Sequence, residues 1–297
     1  MVKRAVVTAG TGGIGFETAK GLAERGFALT VVGRSAERGA RAVERIAAVA
    51  SGRPPTFVPA DLARLEEVRA LAARIADDGP LTILVNNVGA MFTDREQTVD
   101  GIEATFAVNH LSPYLLTELL LDQLRAGSPS RIVNVTSGAI RVAKRTYIAV
   151  EPPGGYYGFH WYGRAKLANL AYTLDLAERL RDTGIGVFAA DPGGAATDMT
   201  NGTMRSPKIV SPGLRVLWPL VRRTFERATA GPASTAARSS IVAATDAALD
   251  GQTGLLIGAQ GRPVLALRAS THPRAVRDVI RLSRQLAPLT DGTGRAH

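Results

Sequence analysis

The chain has 297 residues, of which 45% are hydrophobic and 21% charged, and this composition excludes a disordered or fibrous protein. It contains no cysteine, which excludes disulfides, thiolate metal sites and cysteine nucleophiles, and we expect a cytoplasmic protein without a metal. The formal net charge of +10 is not accompanied by a basic run or a nucleic-acid-binding motif, so we predict no nucleic-acid partner.

Apolar runs alternate with helical patterns along most of the chain. The runs are typical of buried parallel strands, and they lie at Ala5–Thr8, Leu29–Gly33, Thr56–Pro59, Ile83–Asn86, Ile132–Thr136, Val187–Ala190 and Leu255–Gly258. Helical patterns lie near 14–25, 36–49, 64–77, 101–125, 163–182 and 231–249. This alternation predicts an α/β fold of the Rossmann type, a doubly wound parallel sheet of about seven strands with helices on both faces.

No low-complexity linker divides this pattern, so we predict one domain over residues 1–260. Irregular stretches interrupt it at 140–161 and 201–230, and the pattern ends after Ala259. Residues 261–297 form a C-terminal extension, in which we expect a late helix at Arg274–Leu286 that packs on the domain or on a neighbour.

The first predicted strand runs directly into a glycine-rich turn that opens a helix, with the sequence Gly10-Thr11-Gly12-Gly13-Ile14-Gly15. The pattern Gly-x-Gly-x-x-Gly in this context is typical of a dinucleotide-binding site. Glycines let the backbone approach a pyrophosphate closely, and the helix N-terminus offers unpaired N–H groups. The alternative is an ordinary tight turn between a strand and a helix.

The second predicted strand ends in Gly33-Arg34-Ser35, without the carboxylate that hydrogen-bonds the adenosine ribose of NAD. Arg34 can instead bind a 2′-phosphate in a bidentate manner, and Ser35 can donate a hydrogen bond to it. The alternative is a solvated arginine at a strand end. We therefore predict NADP(H) as the cofactor.

Tyr162 and Lys166 lie four residues apart in a helical pattern, so their side chains share one face. A nearby ammonium favours the tyrosinate, and we expect it to lower the pKa of the Tyr162 phenol toward the range of an acid–base catalyst. A buried strand delivers Thr136 and Ser137 at its carboxyl end, where ligands bind in open parallel sheets. The alternative for the tyrosine and lysine is the start of an ordinary amphipathic helix.

Several motifs in this order make the chain resemble the short-chain dehydrogenase/reductase family over residues 1 to about 260. Besides the glycine turn they are Asp61-Leu62, Asn86-Asn87-Val88-Gly89, Val108-Asn109-His110-Leu111, Thr136-Ser137, Tyr162 with Lys166, and Asp191-Pro192-Gly193 with Thr197. The chain most resembles the retinol-dehydrogenase-like reductases of that family, which prefer NADP. It departs from the family pattern at Ala9, where the family has a glycine, and in a longer spacing from Ser137 to Tyr162.

The resemblance implies a role for each matched residue. Ser137 would hydrogen-bond the substrate oxygen, and Tyr162 would give or take its proton. Lys166 would hold the nicotinamide ribose, and Asn109 would anchor a water that relays protons to it. Further cofactor contacts would come from residues after the third to sixth strands, namely Asp61, Leu62, Asn87, Val88, Gly89, Thr136, Pro192, Gly193 and Thr197.

The resemblance also implies a small-molecule carbonyl or alcohol as substrate, with substrate loops at 140–161 and 197–230. Large apolar residues in both loops predict a bulky or lipophilic substrate, namely Tyr156, Tyr157, Phe159, Trp161, Leu214, Val216, Leu217, Trp218, Leu220 and Val221. Alternatively, both segments only cover the core. Basic residues around 205–227 leave an anionic substrate or a membrane surface open. Related proteins are often homo-oligomers.

Three other functions fit parts of the sequence, one of them a nucleotide-sugar epimerase of the extended branch, for which we would expect a sizeable second domain after residue 200. Ser137, His160 and Asp191 could form a serine hydrolase triad, but the serine lacks the Gly-x-Ser-x-Gly context of a nucleophile elbow. A non-catalytic NADP-sensing regulator on the same fold is the third, although it would not need the full set of catalytic residues. We interpret His160 and His110 as packing residues.

Overall fold

The computed structural model describes residues 2–143, 146–151, 154–264 and 272–289. A parallel sheet of seven strands lies at its centre, in the order β3-β2-β1-β4-β5-β6-β7. The strands are β1 Arg4–Thr8, β2 Ala28–Gly33, β3 Thr56–Pro59, β4 Ile83–Asn86, β5 Ser130–Val135, β6 Ile185–Ala190 and β7 Leu255–Ile257. Each lies within two residues of its predicted bounds, and the predicted fold class is confirmed.

Helices cover both faces of the sheet. They are α1 Gly13–Glu24, α2 Ala36–Ala47, α3 Leu65–Asp77, α4 Ala104–Phe106, α5 Ser112–Leu119, α6 Leu121–Ala126, α7 Gly158–Arg179, α8 Asp198–Asn201, α9 Pro212–Val216, α10 Trp218–Ala228, α11 Ala233–Thr245 and α12 Pro273–Leu286. On one face α1, α2 and α11 pack over strand residues such as Val7 and Val133. On the other face lie α3, α5, α7 and α12, over residues such as Val6 and Ile132.

Three helical predictions need correction. The continuous helix expected over 101–125 is divided into α4, a π-helical turn at Ala107–Leu111, α5 and α6. The helix expected from residue 163 begins five residues earlier, at Gly158, because Gly158 and Trp161 are buried and extend its packed face. The stretch 201–230 was expected to be irregular, but it contains the helices α9 and α10, and the short helix α8 ends at its first residue.

The late helix expected at Arg274–Leu286 is present as α12. Val279, Ile280 and Leu282 are buried in the same hydrophobic cluster as α3, α5 and α7. His110, in the π-helical turn, places its Nε2 atom 2.7 Å from the hydroxyl of Ser283. Helix α12 therefore packs on the domain.

Because all seven strands are parallel, their carboxyl ends lie along one edge of the sheet. The glycine turn follows β1 there, and Arg34, Asp61, Asn87, Thr136 and Pro192 follow β2, β3, β4, β5 and β6. Chain order reverses between β1 and β4, which is the point where open α/β sheets bind ligands.

Candidate active site

The three side chains of Asn109, Tyr162 and Lys166 converge on Gly89, just after β4. A Cβ atom on this glycine would lie 3.6 Å from Nζ of Lys166, 3.7 Å from Oδ1 of Asn109 and 3.7 Å from the phenol oxygen of Tyr162. These side chains come from α7 and from the π-helical turn, so only the fold brings them together. Tertiary structure therefore gathers the group that the sequence predicted.

Tyr162 is buried at the start of α7, and its phenol hydrogen-bonds the side chain of Ser137. Ser137 itself caps the turn after β5, where its hydroxyl accepts a hydrogen bond from the backbone N–H of Ala139. Burial raises the pKa of Tyr162 to about 12, against the lowering effect of the Ser137 hydrogen bond, and the Asp191 carboxylate raises it further. The lowered pKa expected from the sequence is thus opposite in direction.

Lys166 is buried one turn further along α7. Its ammonium donates hydrogen bonds to the carbonyl oxygens of Val88, at 2.7 Å, and Val135, at 3.0 Å. Burial lowers the pKa of this ammonium to about 7, so only a fraction of the Lys166 side chains is positively charged at neutral pH. Its Nζ lies 5.9 Å from the centre of the Tyr162 ring. The buried ammonium therefore does not cancel the rise in the pKa of the Tyr162 phenol that burial causes.

Asn109 occupies the middle of the π-helical turn and is fully buried. Its Nδ2 donates to the carbonyls of Ala90 and Thr105, and its Oδ1 accepts from the N–H of Ala90. The side chain is therefore held between the π-helical turn and the segment after β4. Single π-helical turns inside α-helices occur frequently at functional sites.

The glycine turn exposes its backbone at the carboxyl end of β1. Gly12 precedes α1 without a side-chain cap, so N–H groups of the first helical turn are left for a ligand. Gly13 has φ +52°, and a Cβ on Gly15 would lie only 2.3 Å from the carbonyl oxygen of Ala9. Side chains would fill this cradle, so the turn fits the pyrophosphate of a dinucleotide.

Asn87, which follows β4, stabilises the glycine turn through hydrogen bonds. Its Nδ2 donates to the carbonyl oxygens of Thr8 and Ala9, while the hydroxyl of Thr8 accepts from the N–H groups of Asn87 and Val88. Thr8 was not among the predicted site residues, and its position at the end of the first strand was the signal for it. The asparagine is a positioning residue for the turn in this structure.

At the end of β2, Arg34 is exposed and Ser35 caps α2 by accepting a hydrogen bond from the N–H of Arg38. Gly33 is buried beside the glycine turn, and a Cβ there would lie 2.7 Å from Cγ2 of Thr11. The side chain of Thr11 therefore occupies space beside the position of a ribose-binding aspartate.

Two further segments border this region. After β3, the carboxylate of Asp61 accepts from the N–H of Ala63, and Leu62 is buried in the core. After β6, Asp191 accepts from the N–H of Gly193, which has φ +68°. Pro192, which lies between Asp191 and Gly193, is buried. After β5, the hydroxyl of Thr136 donates a hydrogen bond of 3.3 Å to the carbonyl oxygen of Lys166.

Thr197 caps the short helix α8 and approaches the glycine turn. Its Cγ2 lies 3.3 Å from the position of a Cβ on Gly13. The residues predicted to border the two ends of a dinucleotide are therefore adjacent at this point. Every predicted cofactor residue lies along the carboxyl edge of the sheet or on the segments that follow it.

An apolar cluster surrounds Tyr162. It consists of the buried residues Met91, Ala139, Tyr162, Ile209 and Val210, with the partly buried Phe159, Met199, Met204, Trp218, Val221 and Phe225. Only Phe159, Trp218 and Val221 of the predicted apolar lining belong to it. Tyr156 and Trp161 stack on one another at 4.8 Å, and Leu214, Val216, Leu217 and Leu220 are exposed.

The side chains proposed for a serine hydrolase triad have other neighbours in the described part of the chain. The side chain of Ser137 pairs with Tyr162, and the ring of His160 contacts those of Tyr157 and Phe159. His110 is fully buried among aromatic rings. Both histidines therefore pack against aromatic residues, as we expected.

Comparisons with known proteins agree with this arrangement. The sequence model of the family described as short chain dehydrogenase matches residues 3–207. Retinol dehydrogenase 12 of Mus musculus is 35% identical over 230 residues, 77% of this chain and 70% of that protein. Retinol dehydrogenase 11 of the same species is 37% identical over 200 residues, 67% of this chain but only 63% of that protein.

A solved structure is also similar in sequence and fold. The Pseudomonas aeruginosa RhlG/NADP active-site complex is 27% identical with a TM-score of 0.66, covering 87% of this chain and 95% of that one. These matches establish that the chain belongs to the short-chain dehydrogenase family, whose members are oxidoreductases, and the convergence of asparagine, tyrosine and lysine on Gly89 agrees with them.

Proposed function

We propose that the protein is an NADP(H)-dependent reductase of carbonyl compounds, with Asn109, Ser137, Tyr162 and Lys166 as its catalytic residues. The convergence of three of these side chains around Gly89 carries the proposal, with Ser137 joined to the tyrosine by a hydrogen bond. The nicotinamide supplies the hydride when the cofactor is bound. The remaining chemistry is the transfer of one proton to the substrate oxygen.

Tyr162 and Ser137 are suited to that proton transfer. With its pKa raised to about 12, the phenol is protonated at neutral pH and can act as the general acid in carbonyl reduction. The hydroxyl of Ser137 can hydrogen-bond the same oxygen and hold it within reach of the phenol. The protonated phenol is the form that reduction requires, whereas oxidation of an alcohol would require the phenolate.

Lys166 and Asn109 lie close to the phenol of Tyr162 and assist its proton transfer. The ammonium, with its pKa near 7, can pass protons toward the tyrosine or keep a positive charge beside it. Asn109 holds the π-helical turn against the backbone at Ala90, close to both groups. We propose that these two residues supply protons to the tyrosine and bind the nicotinamide ribose.

The substrate class follows from the apolar cluster around Tyr162. Phe159, Trp218, Val221 and Phe225 lie partly buried beside the tyrosine, and such surfaces bind bulky apolar groups. The relatives named retinol dehydrogenases favour a lipophilic substrate in the same direction. We therefore propose a bulky, lipophilic ketone or aldehyde, converted to the alcohol in the cytoplasm.

Exposed Arg34 and half-exposed Ser35 at the end of β2 support the choice of NADP(H) over NAD(H). Neither residue is a carboxylate, so neither of them repels the negative charge of a 2′-phosphate. A similar solved structure, of Pseudomonas aeruginosa RhlG, contains NADP in its active-site complex.

The decisive experiment measures NADPH oxidation by the purified chain with polycyclic and small polar ketones. Tyr162→Phe should lower kcat by about 10²–10⁴, because the proton donor is lost, while NADPH binding stays unchanged. Tyr114→Phe, at a buried tyrosine among the aromatic rings near His110, is the matched control. NADPH binding without turnover of any ketone would instead indicate a non-catalytic regulator.

A further inference from the structure

Helices α9 and α10 form the most open part of the cover beside the active site. None of their residues is buried. Four of the eleven exposed large hydrophobic residues among the described residues lie here within seven positions, and we call them the aliphatic ridge: Leu214, Val216, Leu217 and Leu220. Val216 is 82% exposed and Leu220 65%, so the ridge places large apolar side chains in water.

The inner side of α10 fixes which way the ridge faces. Trp218, Val221 and Phe225 follow one another at helical spacing and pack into the apolar cluster around Tyr162. The rings of Phe159 and Phe225 are 4.9 Å apart, which fastens α10 to the catalytic helix α7. Leu220 lies on the opposite side of the helix and is held toward solvent.

Arginines continue the same outward side of α10. Arg223 and Arg227 lie three and seven positions after Leu220, a spacing that places all three on one side of the helix. In the part of the chain that the structure describes, neither arginine has a carboxylate within ion-pair distance, whereas Arg222 pairs with Glu226 at 2.7 Å. The outer side is therefore apolar at its start and positively charged along its length.

An apolar strip beside arginines without acidic partners is complementary to an anionic lipid surface. Aliphatic side chains enter the boundary between headgroups and acyl chains, and the guanidinium groups bind lipid phosphates. A symmetric contact with a second copy would instead bring the same arginines of both copies together, which is repulsive. No described helix is long and apolar enough to cross a bilayer, so contact through α9 and α10 would be interfacial.

We propose that α9 and α10 dock the protein on anionic lipid bilayers, with the aliphatic ridge inserted and Arg223 and Arg227 on the phosphates. The inner side of α10 packs in the same apolar cluster as Tyr162, so docking would place the catalytic cluster near the lipid boundary. That consequence rests on the proposed function, but docking itself does not. Vesicle binding can be measured without any enzymatic assay.

The test is co-sedimentation of the full chain with vesicles of phosphatidylcholine, alone or mixed with phosphatidylglycerol. We expect binding to the mixed vesicles that weakens at high salt, and little binding to phosphatidylcholine alone. Val216→Ser with Leu220→Ser, and separately Arg223→Glu with Arg227→Glu, should each reduce the partition coefficient by roughly tenfold or more.

Matched controls carry the same changes elsewhere on the surface. Val99→Ser with Ile148→Ser removes two aliphatic residues of similar exposure, and Arg53→Glu with Arg74→Glu makes the same change in charge. Both should bind the mixed vesicles like the unmodified chain, and thermal unfolding checks that every variant folds. Equal binding by ridge and control variants would overturn the proposal. So would a dimer in solution that the ridge variants alone convert to a monomer.

Discussion

The guanidinium of Arg38 lies 2.8 Å from the carboxylate of Asp198, although 160 positions of sequence separate them. Arg38 comes from the first turn of α2, and its Nη2 also lies 2.8 Å from the position of a Cβ on Gly12. Asp198 begins α8, directly after Thr197. The pair therefore joins the two segments that border the proposed cofactor site across the glycine turn.

This pairing predicts opposite effects for its two members. Asp198→Asn should tighten NADPH binding by roughly fivefold at most, because it releases Arg38 and removes a negative charge near the phosphates, and an exposed pair contributes about 0.2–1 kcal/mol. Arg38→Ala should weaken NADPH binding. Calorimetric titration with NADPH and NADH checks both, and an equal effect of either variant on the two cofactors would contradict a role at the 2′-phosphate.

The end of β2 predicts what a change of cofactor requires. Arg34→Ala should remove most of a preference for NADPH of about tenfold, the value of one charge-assisted hydrogen bond of about 1.5–3 kcal/mol at its low end. Adding Gly33→Asp should not restore efficiency with NADH, because the new Cβ would lie 2.7 Å from Cγ2 of Thr11. The triple variant with Thr11→Ala should prefer NADH. The ratio of kcat/KM for the two cofactors measures each step, and efficient use of NADH by the double variant would contradict the predicted clash.

Ala9 predicts a stabilising substitution in the glycine turn. It has φ +50°, a left-handed conformation that is strained for any residue with a Cβ. Ala9→Gly should raise the free energy of unfolding by about 0.5–1 kcal/mol, measured by urea denaturation. Ala40→Gly on the exposed side of α2 is the control and should lower it by a similar amount. A loss of stability in Ala9→Gly would show that the turn is unstrained.

His110 predicts the pH dependence of stability. The hydroxyl of Ser283 donates to the carbonyl oxygen of Val279, so its oxygen accepts from Nε2 of the histidine. Burial is the main cause that lowers the pKa of His110 to about 3, from about 6.5 when the chain is unfolded, and the positive charge of Arg164 lowers it further. The unfolded chain therefore binds more protons between these values, and stability is complete above pH 6.5 and is lost as the pH falls toward 3.

In that range the contribution of His110 approaches about 1.4 kcal/mol per pH unit. The variant His110→Phe should lose this part of the slope while keeping the aromatic packing with Phe106 and Tyr172. Urea denaturation at several pH values measures the slope for both proteins. Identical slopes would mean that the histidine is protonated in the folded chain.

The sequence by itself determined the sheet and the position of each motif along it. Buried parallel strands are continuous apolar runs, and the residues that follow them lie at one edge of the sheet whatever the details of packing. This is why the bounds of all seven strands and the identity of the residues around Gly89 could be predicted. The glycine turn could also be predicted, because its requirement for glycine is local and steric.

Only the tertiary structure decided the hydrogen bonds, the pKa values and the packing of these residues. The π-helical turn places the side chain of Asn109 on the backbone at Ala90, 19 positions earlier in the chain, where the two residues share hydrogen bonds. The pKa of Tyr162 rises because burial outweighs its neighbours, and the cover over 197–230 folds into helices because Trp218, Val221 and Phe225 find an apolar cluster. Spacing in sequence reports which side chains share a face, whereas desolvation and long-range contacts depend on what the fold packs against that face.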